Sequence, residues 1–132
     1  VFSTVHTTDA IKTIGRIIAM FPVEEQKEVR KRLSENLYAT IGQRMLKTKD
    51  KGVAVAMEIM ITTPGIKDCI EGKDDMGRLI QIIRDGKNKS DIKSQSFDQH
   101  IMELYKAGTI SRSTALESAT SQSDFILSLE VE

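Results

Sequence analysis

The stretch TVHTTDA, Thr4 to Ala10, brings together an imidazole, two hydroxyls and the start of a helical pattern, the residue types that handle an anionic group. Val1 to Val5 reads as the end of a buried strand. Ala10, Ile11, Ile14, Ile17, Ile18 and Phe21 then recur at helical spacing, with Thr7, Thr8 or Asp9 available as cap. His6 therefore falls where a strand gives way to a helix, which in open α/β folds is the carboxyl edge of the sheet and the usual place for a ligand. There His6 could hydrogen-bond a phosphate, with Thr7, Thr8 and the helix N-terminus adding donors. A strand-end histidine satisfied by a carbonyl fits the same stretch, and both readings stand.

Other chemistry-bearing residues are scattered. Arg16, on the first helix, could reach a neighbouring subunit's phosphates or could simply be a surface charge. Glu58, in an apolar run, could orient a water or a metal, or could guard a sheet edge against mispairing. Arg30, Lys31, Gln43 and Arg44 share one expected long helix and form either an interface or a solvated face. Cys69 is expected to be a small core residue, and His100 is assigned no role. No hydrolytic triad or metal-ligand spacing is present, and G-x-x-x-x-G-K-[ST] does not occur, so these residues alone are expected not to hydrolyse ATP in the P-loop manner.

The elements that must position these groups follow from period and punctuation. The first helix is expected over about residues 9 to 20. After Pro22 a second is expected over about 23 to 46, with Val29, Leu33, Leu37, Ile41 and Met45 as a drifting inner stripe. Asp50-Lys51-Gly52 is a turn, and VAVAMEIMI alternates as a strand whose second face is Ala54, Ala56, Glu58 and Met60. Thr63-Pro64 opens a short helix closed by Gly72, and Asp74 or Asp75 caps another ending at Gly86. Residues 87 to 96 read as a mobile surface loop. Phe97 to Gly108 and Ser111 to Ala119 read as helices, and the tail DFILSLEVE as a half-exposed strand. The order, βααβααααβ, describes an α/β sheet lacking its first strands.

Bulk properties narrow the class. At 132 residues the chain has room for one domain with a real core. Lys plus Arg and Asp plus Glu both number 19, so no net basic field favours nucleic acid. The apolar run Val53 to Ile61 is far shorter than the roughly 20 residues that span a bilayer, and residues 1 to 30 show no secretory pattern. A single cysteine fits a reducing, cytosolic compartment.

The ordered set STVHTTDAIKTIGRIIAMFP, QRML, VAVAMEIMITTPGIKDCIEG and SFDQHIMELYKAGTIS closely resembles the C-terminal half of the PilT/PilU type IV pilus retraction ATPases, from about Phe2 to Leu129. The resemblance implies that Val1 is an internal point of a longer RecA-like P-loop ATPase, with the Walker loops lying upstream. It places residues 1–62 at the end of the ATPase core with its His box, and 63–132 in a C-terminal helical region with a terminal strand. His6 and Thr7 would then act catalytically at the γ-phosphate side, with Arg16 a candidate nucleotide contact. Gly15 stands where the family commonly has an acidic residue.

ATP and Mg²⁺ are the implied cofactors of the intact protein, with no resident metal held by this chain. A homohexameric ring, a membrane platform protein as partner, no nucleic acid, and a cytoplasmic site peripheral to the inner membrane complete the implied picture. The expected function is part of a motor for pilus retraction and twitching motility. Pilus-assembly and type II secretion ATPases share the His box, but usually carry a four-cysteine insert after QRL; here Leu46 passes through KTKDKG straight to a strand. In GIKDCIEG, Ile66 and Ile70 keep the positions of the retraction signature, while Lys67 replaces an Arg and Gly72 ends the match early, as an accessory PilU-like member would allow. A nucleotide-free adaptor that kept only the subunit-interface half is the alternative from another class.

Overall fold

The computed structural model describes residues 1–131. Helix α1 (Ala10–Ala19) starts where Asp9 Oδ1 accepts the Lys12 N–H at 2.8 Å, and buries Ala10, Ile14 and Ile18 on one stripe. Helix α2 spans Val23–Asn36 after Pro22, with Glu24 and Glu25 in its first turn. It ends ten residues earlier than the spacing-of-four stripe suggests. Strand β1 (Ala39–Lys47) replaces its second half and pairs antiparallel with β2 (Val53–Ile61), so that Gly42 faces Glu58 and Arg44 faces Ala56.

Gly42 explains much of that switch. A Cβ at position 42 would sit 2.8 Å from Phe97 Cζ, so the bare backbone lets the Phe97 ring pack against the sheet, whereas the same glycine inside a helix would cost about 1 kcal/mol. Thr40 and Ile41 add β-branched preference. The consequence is that Gln43 and Arg44 lie on a strand, away from Arg30 and Lys31 on α2.

Beyond the sheet, α3 (Pro64–Glu71) is capped by Thr63 and closed by Gly72 at φ 88°. A 3₁₀ turn, Met76–Arg78, leads into α4 (Leu79–Asp85), and a second turn, Gly86–Asn88, follows. Helices α5 (Phe97–Lys106), α6 (Arg112–Ser118) and α7 (Gln122–Glu130) complete the chain. Among the described residues, no helix is long and apolar enough to cross a membrane.

Three further expectations are corrected. The tail is α7, not a strand: Asp98 accepts the Thr120 and Ser121 N–H groups, Ser121 caps the helix, and Phe125 and Leu129, four apart, turn onto one core while Leu127 stays exposed. Glu132 lies outside the described residues. Residues 87–96 do not form a free loop, because Ser94 is buried with its hydroxyl on the Ile83 carbonyl and Gln95 forms an antiparallel bridge with Ile59. Val1 to Val5 is no buried strand; it carries no regular structure and is exposed, with neither described strand pairing with it.

Two apolar clusters form the core. The first joins α1, Met60, α3 and α4, with Ile14, Ile70 and Leu79 fully enclosed and Cys69 buried among them as expected. The second joins Leu46 and Ala56 of the hairpin to Phe97, Ile101, Ile110, Ala115 and Phe125. Strand β2 contributes to both.

Candidate functional site: the turn before α1 and the cleft beneath it

The His6–Thr8 turn is set by the start of α1. Four N–H groups at a helix N-terminus lack partners within the helix, and here two of them are taken by carboxylates. Asp9 holds Lys12, and Glu58, forty-eight residues away on β2, accepts the Ala10 N–H through Oε1 at 2.8 Å. Thr7 contacts the Thr13 hydroxyl at 2.5 Å, and Thr13 in turn donates to the Asp9 carbonyl at 2.8 Å. His6 is exposed and Thr8 stands beside it with its hydroxyl on Asp9. The expectation that the helix N-terminus adds donors for a phosphate is narrowed: two of its N–H groups, those of Ala10 and Lys12, are already held by carboxylates. An anion meeting this turn would find the exposed His6 and Thr8 side chains beside a helix start that carries two carboxylates.

Beneath the turn lies a cleft of about 340 Å³ between α1, the inner face of the sheet, α4 and the starts of α5 and α7. Its lining includes Asp9, Ala10, Arg44, Glu58, Phe97 and Asp98. Glu58 is only 6% exposed. Burial pushes its carboxyl above the ordinary value; the Ala10 N–H opposes that rise, nearby Asp9 adds to it, and Arg44 opposes it. The edge-guarding reading of Glu58 is overturned, since the side chain points into the fold. Arg44 lies with its guanidinium carbon 4.0 Å from the Phe97 ring centroid and donates to the Ser118 carbonyl and Thr120 hydroxyl, each at 3.0 Å, tying the hairpin to the α6–α7 junction.

The structure brings His6, Thr7 and Thr8 to one turn but does not bring Arg16 or His6 into the cleft. Arg16 is exposed near the far end of α1. His100, given no role by the sequence, accepts the Met57 N–H on Nδ1 at 2.8 Å, and Gln95 donates to the Met57 carbonyl at 2.9 Å. These contacts satisfy both backbone groups of Met57, next to Glu58 on β2. The signal for them is faint in sequence: one polar residue per turn at the start of α5, next to a strand whose partner has to be known first. Among the described residues, no three His, Cys, Asp or Glu side chains converge as a metal site.

No protein-family model matches the chain. It is 38% identical over 125 residues to the type IV pilus retractation ATPase PilT of Pseudomonas aeruginosa, covering 95% of this chain and 35% of that protein. The twitching motility protein of Neisseria gonorrhoeae is 35% identical over 116 residues, 87% of this chain and 30% of that one. The type IV pilus ATPase PilU of P. aeruginosa is 32% identical over 130 residues, 98% and 33% respectively. Among solved structures, the pilus retraction motor PilT with bound ADP matches with a TM-score of 0.72 at 31% identity, over 91% of this chain and 32% of that one. The ATPase DotB of Legionella pneumophila matches with a TM-score of 0.64 at 18% identity over 96% and 31%, a likeness of fold. The chain spans about a third of the length of these relatives. Across nearly all its residues, the chain is a homologue of about a third of the type IV pilus ATPases PilT and PilU, with the α/β fold of the corresponding part of PilT.

Proposed function

We propose that this chain is part of an ATP-hydrolysing motor that drives type IV pilus retraction and twitching motility, working as a homohexamer at the cytoplasmic face of the inner membrane against a platform protein. The observation that carries this reading is the 38% identity to PilT over 125 residues; an exposed His6 on a turn fixed from below fits it. In this reading His6 and Thr7 form the wall of the nucleotide site that meets the terminal phosphate, and Arg16 serves a neighbouring subunit. The donor set present fits contact with one anionic group from one side: His6 and Thr8 are exposed, while Asp9 and Glu58 keep negative charge at the helix start. The rest of a nucleotide and its Mg²⁺ would be held by residues outside this chain.

ATP with Mg²⁺ would supply the phosphoryl group whose loss releases the work. This chain's residues orient and sense. An imidazole at position 6 can donate to a phosphate oxygen, and the Thr7–Thr13 hydroxyl contact anchors the turn from which it projects. The hairpin and α3–α4 pack on the same core as α1, so they provide a solid path for a displacement of the turn to travel.

Steady-state ATP turnover by the native gene product beside His6→Ala, at matched oligomer content, tests the proposal. The expected result is a drop of at least tenfold, about 1.4 kcal/mol in barrier. Unchanged turnover demotes His6 to a structural residue. No turnover in either protein replaces the motor reading with the nucleotide-free adaptor.

A further inference from the structure

We infer that Glu58 is the positioning residue of the His6–Thr8 turn, a role that rests on the motor reading only for its effect on hydrolysis. Ala10 is the first residue of α1 and is 1% exposed. Its N–H has no acceptor within the helix and no access to water, and Asp9 already holds Lys12. Glu58 Oε1 supplies the missing acceptor at 2.8 Å. The bond fixes the peptide group three residues after Thr7, so the direction in which His6 and Thr8 leave the helix is set from the sheet rather than by local capping alone.

Glu58 is itself held at its base. It faces Gly42 across the ladder; on its other side Met57 binds His100 and Gln95, and Ile59 exchanges two backbone bonds with Gln95, at 2.8 and 3.0 Å. A side chain rooted in so restrained a backbone transmits position well. The charged groups acting on it are Asp9 and Arg44, and Arg44 is engaged with the α6–α7 junction. Glu58 therefore ties the turn to the hairpin and, through the edge of β2, to α5.

The test uses Glu58→Met, which removes the acceptor at similar size, and Glu58→Gln, whose amide oxygen can still accept. In the isotope-labelled chain, amide exchange at Ala10 is expected to be at least tenfold faster in Glu58→Met and close to wild type in Glu58→Gln, with Thr7 and Thr8 resonances displaced only in Glu58→Met. In the native gene product, kcat is expected to fall at least fivefold in Glu58→Met with KM unchanged, and to be largely restored in Glu58→Gln. Equal Ala10 exchange in all three proteins overturns the proposal, as does a kcat indifferent to Glu58→Met. If exchange follows the acceptor while the wild type hydrolyses no ATP, the positioning role stands and the motor reading falls. Should Glu58→Met fail to fold, Ala10→Pro removes the donor at a helix position that tolerates proline, and displaced Thr7 and Thr8 resonances support the tie where wild-type ones refute it.

Discussion

Gly15 sits inside α1, and a Cβ added there would meet nothing within 4 Å. A helix-interior glycine gives the unfolded chain freedom that folding must remove, so Gly15→Ala should stabilise the chain by about 0.5–1 kcal/mol, read as a higher urea midpoint with unchanged slope. A loss instead would mean that α1 needs the backbone freedom of a glycine at position 15. Glu58 offers a second residue-level prediction, with a sign that follows from burial. Its folded carboxyl lies above the unfolded one, so its contribution is fully favourable below about pH 4.5 and is lost as pH rises through the folded value. Glu58→Gln stays neutral throughout. Its urea midpoint should therefore rise relative to that of the wild type between pH 4 and pH 7, and a Glu58→Gln midpoint that instead falls relative to wild type with rising pH would show that the Ala10 N–H and Arg44 outweigh desolvation.

Helix α5 begins with a reciprocal cap in which Ser96 Oγ accepts the Gln99 N–H and Gln99 Oε1 accepts the Ser96 N–H. Ser96→Ala should cost about 1 kcal/mol in urea unfolding, within a range of about 0.5–2. The hairpin gives a sharper contrast. Ile41 is 65% exposed and Leu46 4%, so Ile41→Thr should change stability by less than about 0.5 kcal/mol and Leu46→Ala by about 2–5. A long helix with Ile41 in its inner stripe would reverse the first of these. That helix was the natural reading of Val29, Leu33, Leu37, Ile41 and Met45, because fourfold spacing says nothing about a chain that leaves the helix at Leu37. Strand β2 was readable from alternation, and α1 from its period and its Asp9 cap. The tail failed for the opposite reason: in FILSL, Phe125 and Leu129 fit both periods, and only the packing of Phe125 on the second cluster and the Asp98 bonds to the α7 start decide for helix. The His6–Thr8 turn was visible as residue types, while the contact that fixes it spans forty-eight residues and needs β2's inward face to be known.

At the scale of the molecule the question is whether two apolar clusters make one cooperative unit. Ile14, Ile70 and Leu79 belong to the first, and Phe97, Ile101 and Phe125 to the second. Strand β2 places Ala56 in the second and Met60 in the first, with Glu58 between them bound to α1. Neither cluster can lose β2 without exposing residues of the other. A single transition is thus expected, with amide exchange in the centres of α3 and α5 opening at the same free energy within about 0.5 kcal/mol. Ile14→Val should lower both by about 0.5–1.5 kcal/mol and Phe97→Ala by about 3–5, and because the two residues fall in separate clusters their effects should add. If Phe97→Ala instead releases α5 to α7 while α1 and α3 keep their protection, the clusters are separate folding units, and β2 is a hinge between them rather than a shared wall.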